Sequence, residues 1–262
     1  MNFFSGITLT AVLLLSVFSL NKTNAQIVKN YQAAVYENEN GVLPYRYYQP
    51  QQKIMELKRL PLVIFLHGAG ERGNDNEKQL THVAEIFTDP ETQEQFPAYV
   101  IAPQCAENHR WVEVDWNLTE HDMPRNISKY AGLTMDLVDW MIEGLPIDTN
   151  RIYITGLSMG GYATWDLIAR FPDKFAAAVP VCGGGDVKQA SKISHIPIWA
   201  FHGAKDKVVV PERSRSMVKA IKAAGGNPKY TEYPKLGHFS WDAAYGETEL
   251  LPWLFSQSKN NR

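Results

Sequence analysis

Cysteine is scarce in this sequence: two residues in 262, Cys105 and Cys182. So few thiols cannot build a disulfide framework or a cysteine-rich zinc site. A surplus of either charge is also missing, since 26 Lys and Arg face 28 Asp and Glu, a formal net charge of -2. Without a basic field there is nothing to gather nucleic acid or anionic lipid, and the expected ligand is neutral or recognised locally. No HExxH helix, no paired Cys/His spacing and no acidic loop pattern occurs, so the sequence implies no metal and no other cofactor. Internal repeats, low-complexity tracts and long linkers are lacking too, which makes one domain the economical reading.

Long hydrophobic runs are limited to one. Residues 7–20 are apolar apart from Thr and Ser, shorter than the roughly 20 residues a membrane-spanning helix needs. Thr23, Asn24 and Ala25 follow as a small-residue cleavage site, so residues 1–25 read as a secretory signal peptide and residues 26–262 as the mature domain. Residues 1–6 carry no Lys or Arg, a departure from the usual pattern, and no cysteine stands close behind the run to take a lipid. The expectation is a secreted or periplasmic protein with no stable membrane anchoring. In an oxidising compartment Cys105 and Cys182 could form a disulfide. As two buried thiols they would instead act as small hydrophobes, and the sequence leaves both readings open.

The remainder, with 45% hydrophobic and 11% aromatic residues, has a globular composition. Strands are expected at 31–36, 45–48, 62–66, 99–102, 151–155, 176–181, 198–201 and 229–233, and helices at 77–87, 127–142, 160–170, 211–223 and 247–256. Such alternation predicts an α/β fold: a mostly parallel sheet of about eight strands with helices on both faces. The runs LVIFL, RIYIT and PIWAF are continuously apolar, as strands sandwiched between helices must be. Residues 104–125 form a long polar stretch containing Trp111 and Trp116, and loops of that length in a compact domain are often binding elements.

One short motif carries chemistry. Directly after RIYIT comes Gly156-Leu157-Ser158-Met159-Gly160, followed by a helical stretch. GxSxG between strand and helix is the pattern of a tight elbow that lifts a serine oxygen out at the carboxyl end of a sheet. A serine hydroxyl needs a base to take its proton, and the base needs an acid to hold its tautomer. In this architecture the expected chain order is Ser, then Asp or Glu, then His. Ser158, Asp206 and His238 supply that order, each just past a separate strand. Asp186 and Asp242 are competing acids, Asp186 the more serious. His67 and His202 read as structural histidines at strand ends, and His195 as a loop residue. For the oxyanion, the backbone N–H of Met159 is one donor. The other is expected from the turn His67-Gly68-Ala69-Gly70, at Ala69 with Gly70 behind it. Glu71 and Arg72 read either as an ion pair supporting that turn or as solvated charges. Trp111 and Trp116 suit stacking on a sugar or phenolic ring, or plugging the loop onto the core. Trp140, Trp165, Trp199 and Trp253 read as core.

Four segments in register resemble the α/β-hydrolase superfamily: HGAGERG at 67–73, GLSMGG at 156–161, HGAKDKVVVP at 202–211 and GHFSW at 237–241. Within it they are similar to small secreted esterases: the feruloyl and acetylxylan esterases of carbohydrate esterase family 1, and the related predicted-peptidase and phospholipase/carboxylesterase group. The resemblance implies an α/β-hydrolase fold without a large cap. It implies Ser158 as nucleophile, His238 as base, Asp206 as acid and the Met159 and Ala69 N–H groups as oxyanion hole. Residues 104–125 and Trp241 would then shape specificity. The implied activity is cleavage of a small-molecule or polysaccharide ester through an acyl-enzyme, with removal of acetyl or feruloyl groups from plant polysaccharides as one form. A peptidase or aminoacyl hydrolase and a non-catalytic carbohydrate-binding protein of the same fold are the alternatives.

Overall fold

The computed structural model describes residues 30–51 and 59–261. The hydrophobic run at 7–20 and the junction after Ala25 lie outside the described residues. Eight strands form one sheet: β1 (Gln32–Asn38), β2 (Gly41–Tyr48), β3 (Leu60–Leu66), β4 (Tyr99–Pro103), β5 (Ile147–Leu157), β6 (Ala177–Val181), β7 (Trp199–Gly203) and β8 (Lys229–Tyr233). Their spatial order is β1-β2-β4-β3-β5-β6-β7-β8. The β1–β2 hairpin and the β2–β4 pair are antiparallel, and every later pairing is parallel.

Among the described residues the α-helices are α1 (Pro90–Gln95), α2 (Lys129–Gly144), α3 (Met159–Arg170), α4 (Ala190–Ile193), α5 (Glu212–Ala223), α6 (Trp241–Tyr245) and α7 (Leu250–Ser256). Successive side chains of a strand face opposite ways, so a strand covered on both sides must be apolar throughout. In β3, Leu62, Ile64 and Leu66 enter one core, beside Ile152 and Ile154 of β5 and the apolar faces of α2, α3 and α5. Val63 and Phe65 enter the other, with Tyr153 and Leu157 of β5 and residues of α6 and α7. Among the described residues no helix is long and apolar enough to cross a membrane.

The structure corrects one expected helix, adds one that was not foreseen, and decides between the two readings of the cysteines in favour of buried thiols. The helix foreseen at 77–87 is two short 3-10 turns, Lys78–Leu80 and Ala84–Phe87, with Asn76 and Val83 at positive φ. Long-range hydrogen bonds override the local preference here. The Asn76 amide donates to the carbonyls of Ala34 and Tyr45, both at 3.1 Å, and its backbone N–H donates to Gln104 at 2.7 Å. Helix α1 escaped the periodicity reading, although Asp89 caps it by accepting from Glu91 N–H at 3.0 Å and Pro90 occupies its first turn. The cysteines are free and buried. Cys105 follows β4 and Cys182 follows β6, with β3 and β5 between them. Three strand spacings amount to about 14 Å, twice the reach of a disulfide, and the two thiols lie in opposite cores.

The tightest helix–sheet contact is at the start of α3. A Cβ built on Gly160 would stand 1.9 Å from the Leu66 carbonyl oxygen, and one on Gly156 would stand 2.6 Å from the same atom. These atoms are backbone and cannot step aside. Gly160→Ala is expected to lose about 3 kcal/mol or more of stability, or to prevent folding. Urea unfolding measures this, and a midpoint within error of the parent protein would refute the contact.

Candidate active site

Ser158 joins β5 to α3 with φ 53° and ψ -116°, a conformation that L-residues hold only when their surroundings enforce it. Here its N–H donates to the Val181 carbonyl of β6 at 2.9 Å, and its carbonyl accepts from Tyr162 N–H at 3.1 Å. The hydroxyl is thereby raised above the carboxyl end of the sheet, where β7 and β8 also end.

The sequence-predicted acid and base meet it there. Ser158 Oγ lies 2.9 Å from His238 Nε2, and His238 Nδ1 lies 2.7 Å from Asp206 Oδ2. Gly203 makes this convergence possible, because a Cβ there would stand 2.1 Å from the Gly237 carbonyl oxygen. The segment bearing His238 therefore runs directly over the end of β7, and Lys205 N–H donates to Leu236 O at 2.9 Å. Asp206 Oδ1 accepts from Val208 and Val209 N–H at 2.8 and 2.9 Å. Burial raises the Asp206 pKa, but hydrogen bonds from His202, His238 and Val209 outweigh it and hold the carboxyl well below the usual carboxylate range. It is thus a fixed anion, and a neutral His238 can take a hydroxyl proton at Nε2 while Nδ1–H stays on Asp206.

His202, read from sequence as a structural histidine, touches the same carboxylate. Its Nε2 is 3.2 Å from Asp206 Oδ2 and 2.9 Å from the Val209 carbonyl, and its Nδ1 is 2.8 Å from Ser214 Oγ. The HGxxD spacing was visible in the sequence, but not the direction of the ring. His67 has the structural place expected of it: Nδ1 lies 2.6 Å from Gly68 O, and Nε2 accepts from Cys105 N–H at 3.0 Å. Asp186 does not face His238. It anchors a loop, accepting from Met123 N–H at 3.0 Å, Lys188 N–H at 2.9 Å and the Gln189 amide at 2.9 Å.

Met159 is the first residue of α3, and Ala69 begins a 3-10 turn, Ala69–Glu71, directly after β3. β3 and β5 are paired through Leu66 and Gly156, so both N–H groups stand at neighbouring strand ends beside the serine. Arg72 holds the turn by donating from Nε to the Ala69 carbonyl at 2.8 Å. Glu71 Oε1 lies 3.5 Å from His82 Nε2, so of the two readings of Glu71 and Arg72 the ion pair between them does not form.

Of the two readings of Trp111 the structure takes the loop plug, and it turns Trp241 away from the surface expected of it. Trp111 is fully buried and donates from its indole N–H to the His67 carbonyl at 3.1 Å, so it plugs the loop onto the core. Trp116 is half-buried, with the Arg110 guanidinium 4.5 Å from its ring centroid. Trp241 is buried and edge-on to His238, with centroids 5.7 Å apart. It supports the imidazole from within. Beside His238 the exposed aromatic is Phe239, 77% accessible, whereas Trp140 on α2, read from sequence as core, is itself exposed. The pattern GHFSW does not reveal which of its two aromatics turns outward. In the 104–125 loop, His121 Nδ1 accepts from Arg213 Nη2 at 2.6 Å, and Arg213 is itself buried against Tyr162.

Two of these imidazoles couple stability to pH. Burial, reinforced by Arg72 for His67 and by Arg213 for His121, lowers both to about 4 from 6.5. Between about pH 6.5 and 4 the unfolded chain takes up protons that the folded chain refuses, so stability falls as pH falls through that window. Glu71, raised by burial, works in the opposite sense. Unfolding free energy is expected to drop by about 3 kcal/mol from pH 7 to pH 4, less steeply in His121→Gln. A flat profile in denaturant titrations would contradict it.

Residues 53–247 match the phospholipase/carboxylesterase family. A solved thermostable esterase is 40% identical, with a TM-score of 0.83, covering 89% of this chain and 64% of that one. An uncharacterized secreted protein of Arthroderma benhamiae is 28% identical over 213 residues, 69% of this chain and 21% of the relative. A bifunctional acetylxylan esterase/xylanase of Neocallimastix patriciarum is 36% identical over 84 residues, 32% of this chain and 12% of the relative. The chain thus spans only a fraction of the length of these two relatives and under two thirds of the solved esterase. Its eight-stranded, mostly parallel sheet flanked by helices is an α/β-hydrolase fold. The chain belongs to the phospholipase/carboxylesterase family of α/β-hydrolases.

Proposed function

We propose that this protein is a serine carboxylic-ester hydrolase. The observation that carries the reading is the continuous hydrogen-bonded path from Ser158 Oγ through His238 to Asp206, at 2.9 and 2.7 Å. In the reaction, Ser158 Oγ attacks the ester carbonyl carbon while its proton passes to His238 Nε2. The resulting imidazolium is stabilised by Asp206, and the developing oxyanion is received by the N–H groups of Met159 and Ala69. His238 then returns the proton to the departing alcohol oxygen as the carbon–oxygen bond breaks. Water, deprotonated by the same nitrogen, cleaves the acyl-enzyme and regenerates the hydroxyl.

Export and a polysaccharide ester substrate extend this reading. The secretory signal pattern at residues 1–25 and the secreted relative support export. The acetylxylan esterase relative supports acetyl removal from plant polysaccharide. No helix or strand is built between β4 and α2, so no cap closes over the site from that segment, and an open site admits a polymer chain.

A fluorophosphonate probe is expected to label Ser158, and labelling that persists in Ser158→Ala would remove the nucleophile. Ser158→Ala and His238→Ala should each lower kcat by on the order of 10⁴ or more, leaving only oxyanion-hole catalysis. Acetylated xylan, feruloylated arabinoxylan, short p-nitrophenyl esters and aminoacyl anilides, assayed on one sample, separate the substrate readings. Turnover confined to the anilides would make the protein a peptidase, and binding of xylan without turnover of any substrate would make it a lectin-like scaffold.

A further inference from the structure

We infer that His202 is a positioning residue for the catalytic acid, holding the Asp206 carboxylate in the orientation that His238 requires. This rests on the reading of Ser158, His238 and Asp206 as a catalytic triad. The Val209 carbonyl can only accept, so the 2.9 Å contact places the hydrogen on His202 Nε2. That hydrogen is shared with Asp206 Oδ2 at 3.2 Å, the oxygen that also receives His238 Nδ1. The four residues from Asp206 to Val209 are therefore clamped from both sides. Val208 and Val209 donate backwards to Oδ1, and His202 grips the Val209 carbonyl and Oδ2 together.

The other edge of the ring fixes its own place. His202 Nδ1 meets Ser214 Oγ at 2.8 Å, in the first turn of α5, and Ser214 Oγ is 3.3 Å from the Gly183 carbonyl. Gly183 in turn packs against Gly161 at the start of α3, where a Cβ on either would meet the other's backbone at 3.1 Å or less. A continuous line of contacts thus runs from the acid through His202 and Ser214 to the helix that begins beside the nucleophile. His202 and Ser214 are inaccessible to solvent, so the contacts between the acid and Ser214 are made away from bulk water.

The charged groups facing His202 are few. Asp206 and, beyond it, His238 lie on one side. Glu232 is its register partner on β8, and Glu232 is already engaged by Arg215 at 2.7 Å. Removing the Nε2 donor leaves Asp206 Oδ2 with His238 as its remaining side-chain partner. More of the carboxylate charge then falls on His238, making it a stronger base and its carboxylate less well oriented.

The test is the pH dependence of p-nitrophenyl acetate hydrolysis in the full chain. His202→Leu is expected to lower kcat by on the order of 10–100-fold with KM little changed, and to move the acid limb of kcat/KM to higher pH. His202→Gln, whose amide nitrogen can replace Nε2, should recover most of the rate and return the limb toward the wild-type position. A folded His202→Leu protein with wild-type kcat and limb would overturn the inference. So would equal losses in the Leu and Gln variants with an unmoved limb, the mark of packing alone. If His202→Leu does not fold, Ser214→Ala leaves the ring but frees its far edge, and a limb that stays in place there would equally refute it. Turnover that survives Ser158→Ala would instead bring down the triad reading itself, so the two failures are distinguishable.

Discussion

The first turn of α3 sits so close to the end of β3 that no side chain fits between them, and the site is built outward from this contact. Glycines at 156 and 160 allow the approach. With the chain turning that tightly, Ser158 is driven to positive φ and its hydroxyl is pushed clear of the sheet. The same approach puts the N-terminus of α3 beside the turn that follows β3, so Met159 and Ala69 become neighbours of the serine. One steric condition thereby sets the place of Ser158 and of the two strand ends from which Met159 and Ala69 emerge.

The acid and base come from the other half of the sheet and are governed by electrostatics. A buried carboxylate is costly unless its oxygens are met by donors. Asp206 meets this condition with two backbone N–H groups and two imidazoles, which is why it remains ionised despite burial. The backbone passes over Gly203 closely enough for the β8 loop to deliver His238 to that anion. His202 and His67 play parallel parts on different strands: each is a buried imidazole that secures the loop immediately after its own strand. Only His202 does so against the acid.

Around this centre the long 104–125 segment behaves as an anchored wall. Trp111 and Ser128 fasten it to the core, Asp186 accepts from Met123 N–H, and Arg213 donates to His121. Its large aromatics are largely spent on these attachments. Phe239 and Val208, each within two residues of His238 or Asp206, are exposed.

The amino-acid sequence by itself determined the alternation of strands and helices, the two-sided burial of the central strands, and the serine, acid and base in their chain order. Each of these is local: period, punctuation and a turn so tight that only glycines flank it. Tertiary structure alone decided that His202 turns its Nε2 onto the acid, that Cys105 and Cys182 lie three strands apart, and that Trp111 and Trp241 turn inward while Phe239 turns out. It also decided that Asn76, bonded to β1, β2 and Gln104, turns the chain so that residues 77–87 form short turns in place of a helix. Those outcomes depend on contacts between residues tens of positions apart, where direction and distance are set by how strands are ordered in the sheet. Chain order alone carries no record of that arrangement.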